Sequence, residues 1–513
     1  MLFSLIVIVP LLGVIGLAFY CRRYVRDIAD YLASGRVAGR YVISVGDLTA
    51  GLSVITLVAL CEQNYQCGMA MSFWAAINTP LALFISLTGY CIYRFRQTRC
   101  LSIGQFFELR YSRPFRIVAA FIRTMAEMVT NAIGPAVAVR FFIYFLGIPH
   151  KIPIFGFEIP TYGILVALLL VMALAIIWPA GRISLLVTDC IQGIVSYPIF
   201  VIITVFILTS ISWFDDVAPV MLDRAAGESF LNPMDIDGLR DFNVFALIVT
   251  VASTILNRAA WIGNDTTNAG RTPHEQKMAG ILGTWRNGFA FTMMTLIGIF
   301  VITFMLHGRF APRAHEVRVT LAHEIASEVF ERPEVRNAIR TNVAGLPVPR
   351  HEIGMDAPYS QKNNPDAAIL DTALKTIQDS GVENANGKFQ EFRSLYNQMM
   401  MPVMLRSVFP PVLVAIFSLL MLMLLLSTDD GRIFNASSTL IQDVILPFRK
   451  KPISIREQLL LLKLCSLAVT VFFFIVSLFF AQLDYINMFV TIMCAVWLGA
   501  AGPIMVGGLY TRW

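Results

Sequence analysis

Residues 413–443 read LVAIFSLLMLMLLLSTDDGRIFNASSTLIQD. A nearly unbroken apolar run ends at Ser427-Thr428-Asp429-Asp430, and polar residues continue through Asn435, Ser437, Ser438, Thr439 and Asp443. The run belongs to a segment, 404–427, long enough to cross a hydrocarbon core of about 30 Å as a helix. Polar groups at the inner end of such a span point to function or to paired structure, since lipid offers them no partners. Hydroxyl oxygens are hard ligands suited to a small cation such as sodium. Capping of a cytoplasmic helix would draw on the same residue types, so the stretch alone leaves both readings open.

The rest of the chain repeats the pattern. Of 513 residues, 57% are hydrophobic and 14% charged, with a mean hydropathy of +0.67. Soluble domains carry about 25% charged residues, so a water-facing surface cannot be built from this composition. Apolar spans occur at 3–20, 43–70, 72–95, 115–147, 161–180, 187–212, 240–262, 283–306, 404–427, 457–482 and 486–510, eleven in all. None shows the alternating pattern of an outer-membrane barrel. A nuclear, cytosolic or secreted protein is excluded, and an all-α polytopic membrane protein is expected. The first span is not a cleavable signal, because Cys21-Arg22-Arg23-Tyr24-Val25-Arg26 follows it where small residues would mark a cleavage site.

Charge between the spans predicts orientation. With the N-terminus outside, the cytoplasmic segments 21–42, 94–116 and 428–456 hold Arg22, Arg23, Arg26, Arg36, Arg40, Arg94, Arg96, Arg99, Arg110, Arg113, Arg116, Arg432, Arg449, Lys450, Lys451 and Arg456. The outer connectors hold Lys151, Arg224 and Arg240, and the 211–239 loop carries Asp215, Asp216, Asp223 and Glu228. Positive charge is retained inside, which places the C-terminus in the cytoplasm of a multi-pass plasma (inner) membrane protein. The net charge of +6 is then the sum of arginines beside anionic lipid headgroups, and nucleic acid is not an expected partner.

Segment 307–400 departs from this composition. Helical spacing in 311–342 and 366–378 predicts a small helical cap on the outer side. It holds four of the six histidines, His307, His315, His323 and His351. Their steps fit no zinc site, so surface histidines are expected. The eight cysteines all lie in or beside spans, which argues against an external disulfide framework. Cys61 and Cys67 read as small buried hydrophobes.

Two further polar clusters fall inside spans. Gly46-Asp47-Leu48-Thr49-Ala50-Gly51-Leu52-Ser53-Val54-Ile55-Thr56 is either a helix able to unwind and free carbonyls for a cation, or a close helix contact through small residues. Thr188-Asp189-Cys190-Ile191-Gln192 puts Asp189 and Gln192 on one helical face; a polar helix start is the alternative. Arg123 and Glu127 have the spacing of a structural ion pair. Asn131, Gly134 and Pro135 suggest a break in span four or close packing there. Thr254, Asn257 and Trp261 are candidates to face a cavity, Trp261 equally an interfacial anchor. No GxxxxGK[ST], HExxH, GxSxG or CxxC motif is present, so ATP hydrolysis and the common hydrolase chemistries lack their residues and an enzyme is not expected.

Taken in order, these residues resemble the sodium/solute symporters, the family of sodium–glucose, sodium–proline and sodium–pantothenate carriers. Asp30-Tyr31-Leu32-Ala33-Ser34-Gly35-Arg36 is similar to its D-[YF]-x-x-A-G-R loop, and span two with Ser53 and Gly68 to its first core helix. Phe107-Glu108-Leu109-Arg110-Tyr111 resembles its amphipathic segment, one residue shorter. Ala180-Gly181 through Thr188-Asp189 and Gln192 resembles its G-G-x-x-A-V-x-x-T-D-x-x-Q motif. Leu426-Ser427-Thr428-Asp429 with Asn435, Ser437 and Asp443 resembles its M-S-[ST] motif, and Gly502-Pro503 with Gly508-Leu509-Tyr510-Thr511-Arg512 its final core helix.

The resemblance implies a leucine-transporter-like core of two inverted repeats of five helices behind one leading helix. Residues 1–42 are then the leading helix and loop, 43–212 core helices 1–5, 240–306 core helices 6–7, 307–400 an insertion and 401–513 core helices 8–10. It implies sodium as the coupling ion and sole cofactor, a small polar organic solute as partner, and a monomer as the working unit. Sodium would be held by the carbonyls of Thr49, Leu52 and Leu424 and the hydroxyls of Ser427 and Thr428, with Asp189 as ion-linked acid. Ser53, Thr56, Asn131, Asn257 and Trp261 are the candidates for solute. Gly51 stands where proline carriers have an aspartate, which speaks against a proline-type site. Asp429 and Asp430 add charge that either tightens cation binding or faces the cytoplasm. Members usually continue beyond core helix 10, so a shortened chain with a complete core is expected. The alternative function is a transporter-like sensor or receptor that binds solute without moving it.

Overall fold

The computed structural model describes residues 2–154, 157–235, 244–262, 269–360, 362–449, 453–479 and 486–511, with the side chains of 2, 47–51, 71, 154, 157, 244–247, 250, 486–491, 493 and 494 outside the described set. The chain is mostly helical. In order, the long helices are α1 (Leu2–Tyr20), α2 (Arg40–Gly51), α3 (Val54–Cys67), α4 (Ala70–Thr88), α5 (Arg113–Asn131), α6 (Ile133–Leu146), α7 (Thr161–Ala180), α8 (Arg182–Ser210), α9 (Val244–Ala260), α10 (Pro273–Leu306), α11 (Ala311–Val329), α12 (Pro333–Ala344), α13 (Pro365–Asp379), α14 (Ala385–Val408), α15 (Pro411–Thr439), α16 (Ile455–Phe479) and α17 (Ile486–Tyr510). A hairpin of β1 (Lys151–Ile154) and β2 (Phe157–Pro160) links α6 to α7.

Among the described residues, eight helical segments are long and apolar enough to cross a membrane. They correspond to eight of the eleven expected spans. The other three differ for local reasons. Span two is broken into α2 and α3, α9 contributes 17 described residues, and α17 has a shorter apolar stretch at Ala495–Tyr510. Residues 240–243 and 480–482 of the expected spans lie outside the described residues.

Helix ends follow their capping residues. Ser112 and Thr272 accept from Phe115 N and Glu275 N at the starts of α5 and α10, each with a proline in the first turn. Gly181, at φ +55°, turns α7 into α8; a Cβ there would lie 2.7 Å from Tyr31 O. The expected helix over 311–342 is two helices, because Pro333 forces Arg332 out of the helical region (φ −71°, ψ 119°). Span nine begins at Pro411 rather than 404: Met404 still belongs to α14, and the Pro410-Pro411 pair separates the two helices.

The basic segments meet at one end of the bundle. Arg36 donates to Cys100 O, Arg40 pairs with Glu275 at 2.5 Å, Arg96 donates to Gly270 O, Arg110 to Gly508 O, and Arg116 pairs with Asp443 at 2.7 Å. Basic residues of these segments are thus tied to backbone carbonyls and carboxylates.

The cap is α11–α13 with the first half of α14, packed around Leu321, Ile325, Ile339, Val343, Ile369, Ile377 and Leu395. In α14, Met399, Met400, Met401 and Met404 are all buried, and the helix lies against α3, α6 and α11. Polar ties hold the cap to the helices beneath it, three of them centred on carboxylates of the cap. Glu328 accepts from Arg140 (2.8 Å) and the Tyr144 hydroxyl (2.7 Å) of α6. Burial raises its carboxyl, but the neighbouring Arg140 guanidinium outweighs this and holds it below its ordinary value. Arg406 pairs with Glu324 at 2.9 Å. Asp366 is the third and most enclosed. Its Oδ1 accepts from Arg318 (2.7 Å) and Tyr396 (2.8 Å), and its Oδ2 from Tyr65 of α3 (2.6 Å).

His351 is not the surface residue expected. It stacks on Tyr359 at 3.9 Å and bonds Asp223 with a side chain only 9% exposed, fastening the cap to the acidic loop. Asp366→Ala strands the buried Arg318 guanidinium, so it should cost on the order of 3–5 kcal/mol. A lower melting temperature of the purified protein is the expected reading.

Candidate functional site

The segment Gly46–Thr56 does unwind. α2 ends at Gly51, and α3 restarts at Val54 with Ser53 as N-cap (φ −132°, ψ 164°), its hydroxyl accepting from Thr56 N. Ser53 Oγ also lies 3.1 Å from Thr56 Oγ1. The carbonyls before such a break lose their helical donors. The backbone of Thr49 lies in α2, while its side chain is outside the described residues.

The freed Leu52 carbonyl meets α15. Thr428 Oγ1 is 3.2 Å from Leu52 O and 2.7 Å from Leu424 O. A hydroxyl has one hydrogen, so three oxygens converge here with one proton between them. On the same turn, Ser427 Oγ donates to Asp189 Oδ1 of α8 at 2.6 Å. Leu52 from the break, Asp189 from α8 and Leu424, Ser427 and Thr428 from α15 thus come together, and all are buried. Small residues permit the approach: a Cβ on Gly46 would stand 3.3 Å from Asp189 Cβ, and one on Gly193 2.5 Å from Val45 Cγ1. Unwinding and close packing, alternatives in the sequence, coexist.

The longer course of α15 changes the meaning of the two aspartates. Ser427–Asp430 sit inside a helix running to Thr439, followed by residues up to Phe448, rather than at its inner end. Asp429 and Asp430 are 1% and 0% exposed, which disposes of the reading that they face the cytoplasm. Asp429 lies 3.6 Å from Arg432. Asp430 is within electrostatic reach of Asp189, and neither of its oxygens makes a hydrogen bond of normal geometry among the described residues. A carboxylate enclosed this way needs a proton or a cation. Together with the crowded carbonyl and hydroxyl oxygens, this donor set fits a small hard cation. Gln192, one turn from Asp189, is also buried with its amide unbonded among the described residues.

The solute candidates are more scattered. Ser53 and Thr56 flank the break, the former buried and the latter exposed. Asn131 is half-buried at the α5–α6 junction, where Pro135 removes one helical donor. A Cβ at Gly134 would lie 2.7 Å from Arg432 Nη1, so that junction is both a break and a close contact. Asn257 is exposed on α9. Trp261 packs 6.4 Å from the Trp497 ring and 5.5 Å from the Arg123 guanidinium. Arg123 and Glu127 form the expected buried ion pair at 2.9 Å. One polar residue had no sequence signal of its own: Arg286 of α10 donates to Ser44 Oγ of α2 at 2.7 Å.

Residues 380–512 match the family model described as "Sodium:solute symporter family". No curated protein matches the chain in sequence. Among solved structures, a Na+-coupled sialic acid symporter in a substrate-bound outward-open state is similar at a TM-score of 0.68 and 14% identity, covering 100% of this chain and 87% of its own. A manganese transporter from Eremococcus coleocola aligns over 93% of each chain at 10% identity with a TM-score of only 0.34, too low to bear on the fold. Over residues 380–512 the resemblance carried by the sequence motifs is borne out by the family match, and the structural likeness shows a shared fold. The long apolar helices are those of a multi-pass membrane protein, and the family match over residues 380–512 supports sodium-coupled transport.

If Asp430 is an uncompensated buried charge, Asp430→Asn should melt higher than the parent in sodium-free choline buffer. It should also gain less on adding sodium chloride. Equal sodium-induced gains in the two proteins would show that the carboxylate does not face the cation.

Proposed function

We propose that the protein is a sodium symporter that draws a small polar organic solute across the membrane by alternating access. The observation that carries this is the junction of Leu52 O, Leu424 O and Thr428 Oγ1, adjoined by the Ser427–Asp189 bond. An ion bound there joins the interrupted helix to α15 and α8 at once. The carbonyl of Thr49 completes the set, and Asp430 contributes charge beside Asp189.

The mechanism follows from where these groups sit. A cation between α2–α3 and α15 stabilises the arrangement in which those helices are close, and a solute at the break at Ser53 and Thr56 adds to the same state. Coupling requires only that ion and solute both bind one conformation better than the other. One charge descending 100 mV supplies about 2.3 kcal/mol, to which the sodium gradient adds. The fold supports a 5+5 reading in which α2 to α8 form one repeat and α9, α10, α15, α16 and α17 the other, with the site where they face each other. Entry from the cap side and cytoplasmic placement of the arginine-rich end follow the positive-inside pattern. Trp261 is better assigned to holding the Arg123–Glu127 pair than to solute.

A thermal-shift screen of small polar metabolites with and without sodium identifies the solute, and its uptake is then followed in proteoliposomes. Uptake should rise with an inward sodium gradient, and Ser427→Ala or Asp189→Asn should each abolish it. Uptake indifferent to sodium overturns the proposal, and binding without any uptake favours the sensor alternative.

A further inference from the structure

A cavity of about 400 Å³ opens between the cap and the end of α3. Its volume is that of a small-molecule site. One wall is built by α13 and α14 of the cap, the other by Tyr65, Leu306 and the loop carrying Arg224 and Phe230. Most charges on these walls are spoken for. Asp366 already accepts from Arg318, Tyr396 and Tyr65. Arg224 lies 3.7 Å from Glu228 and 4.0 Å from the Phe230 ring.

Two are not. Asp371 of α13 and Arg393 of α14 both line the cavity, and neither forms a hydrogen bond or ion pair among the described residues. Arg393 is half-buried rather than extended into solvent. A guanidinium offers a two-pronged donor edge matched to a carboxylate, and a carboxylate at the rim takes an ammonium. Tyr65 and Phe389 supply apolar faces, and Asn397 a side-chain amide.

We propose that this cavity is a binding site for a free zwitterionic amino acid, its carboxylate on Arg393 and its ammonium on Asp371. The site is separate from the buried oxygen cluster and does not depend on the transport reading. It does share an element with that cluster, because Tyr65 stands near the end of the helix that Ser53 begins. A ligand there bridges the cap to α3.

The test uses the full chain purified in detergent, in sodium-free choline buffer, with the common L-amino acids as probes. At least one should raise the melting temperature and bind by titration calorimetry. Its amide, lacking the carboxylate, and its 2-oxo acid, lacking the ammonium, should bind about 10- to 100-fold more weakly. Arg393→Gln and Asp371→Asn should weaken the amino acid by a similar factor while keeping the melting temperature of the unliganded protein. Ser427→Ala should bind it as the parent does. Stabilisation by none of the amino acids overturns the assignment, as do unchanged affinities in both cavity variants or loss of binding in Ser427→Ala. An ethanolamine headgroup carries similar charges, so phosphatidylethanolamine is added in a parallel series. Stabilisation by that lipid and by no free amino acid likewise overturns it.

Discussion

A membrane helix cannot be interrupted unless something answers its freed backbone groups, and here the answer comes from Thr428. The gap at Leu52–Ser53 leaves a carbonyl without its helical donor in a region from which water is largely excluded. Thr428 reaches it at 3.2 Å, Ser427 fixes Asp189 alongside, and Ser53 caps the restarted helix. Remove these contacts and the break has no support. The glycine-mediated approach of α2 to α8 and the unusual length of α15 both serve the same junction.

Much of this was legible in the sequence because membrane burial is a severe filter on composition. Long apolar runs, basic connectors and an i,i+4 Arg123–Glu127 pair each declare themselves locally. The unwinding of span two was readable as one of two options from its glycines and hydroxyl residues. Family motifs then linked residues 376 positions apart, which spacing alone cannot do.

What stayed hidden depends on distant partners or on where a helix stops. The aspartates after Thr428 looked terminal because apolarity ends at Leu426, yet the helix continues for further turns with its polar groups turned inward. His351 read as a surface histidine because nothing near it in sequence announces Asp223 or Tyr359. Asp366 drew no reading beyond the helical run it begins, and its three donors lie 30, 48 and 301 positions away. Arg286 had no motif around it, and its partner Ser44 sits 242 positions earlier. For the solute, side chains that face a cavity leave no periodic trace.

The methionine-lined stretch of α14 has a consequence of its own. Met399, Met400, Met401 and Met404 are unbranched thioethers with three soft torsions apiece, able to refill a changed gap without a large packing penalty. Their helix is pressed against α3, the element that begins at the interruption. A seam of valine and isoleucine would interlock in a single register. Thioethers set no such register, so a small rotation of α14 on α3 would cost less packing here than between branched side chains.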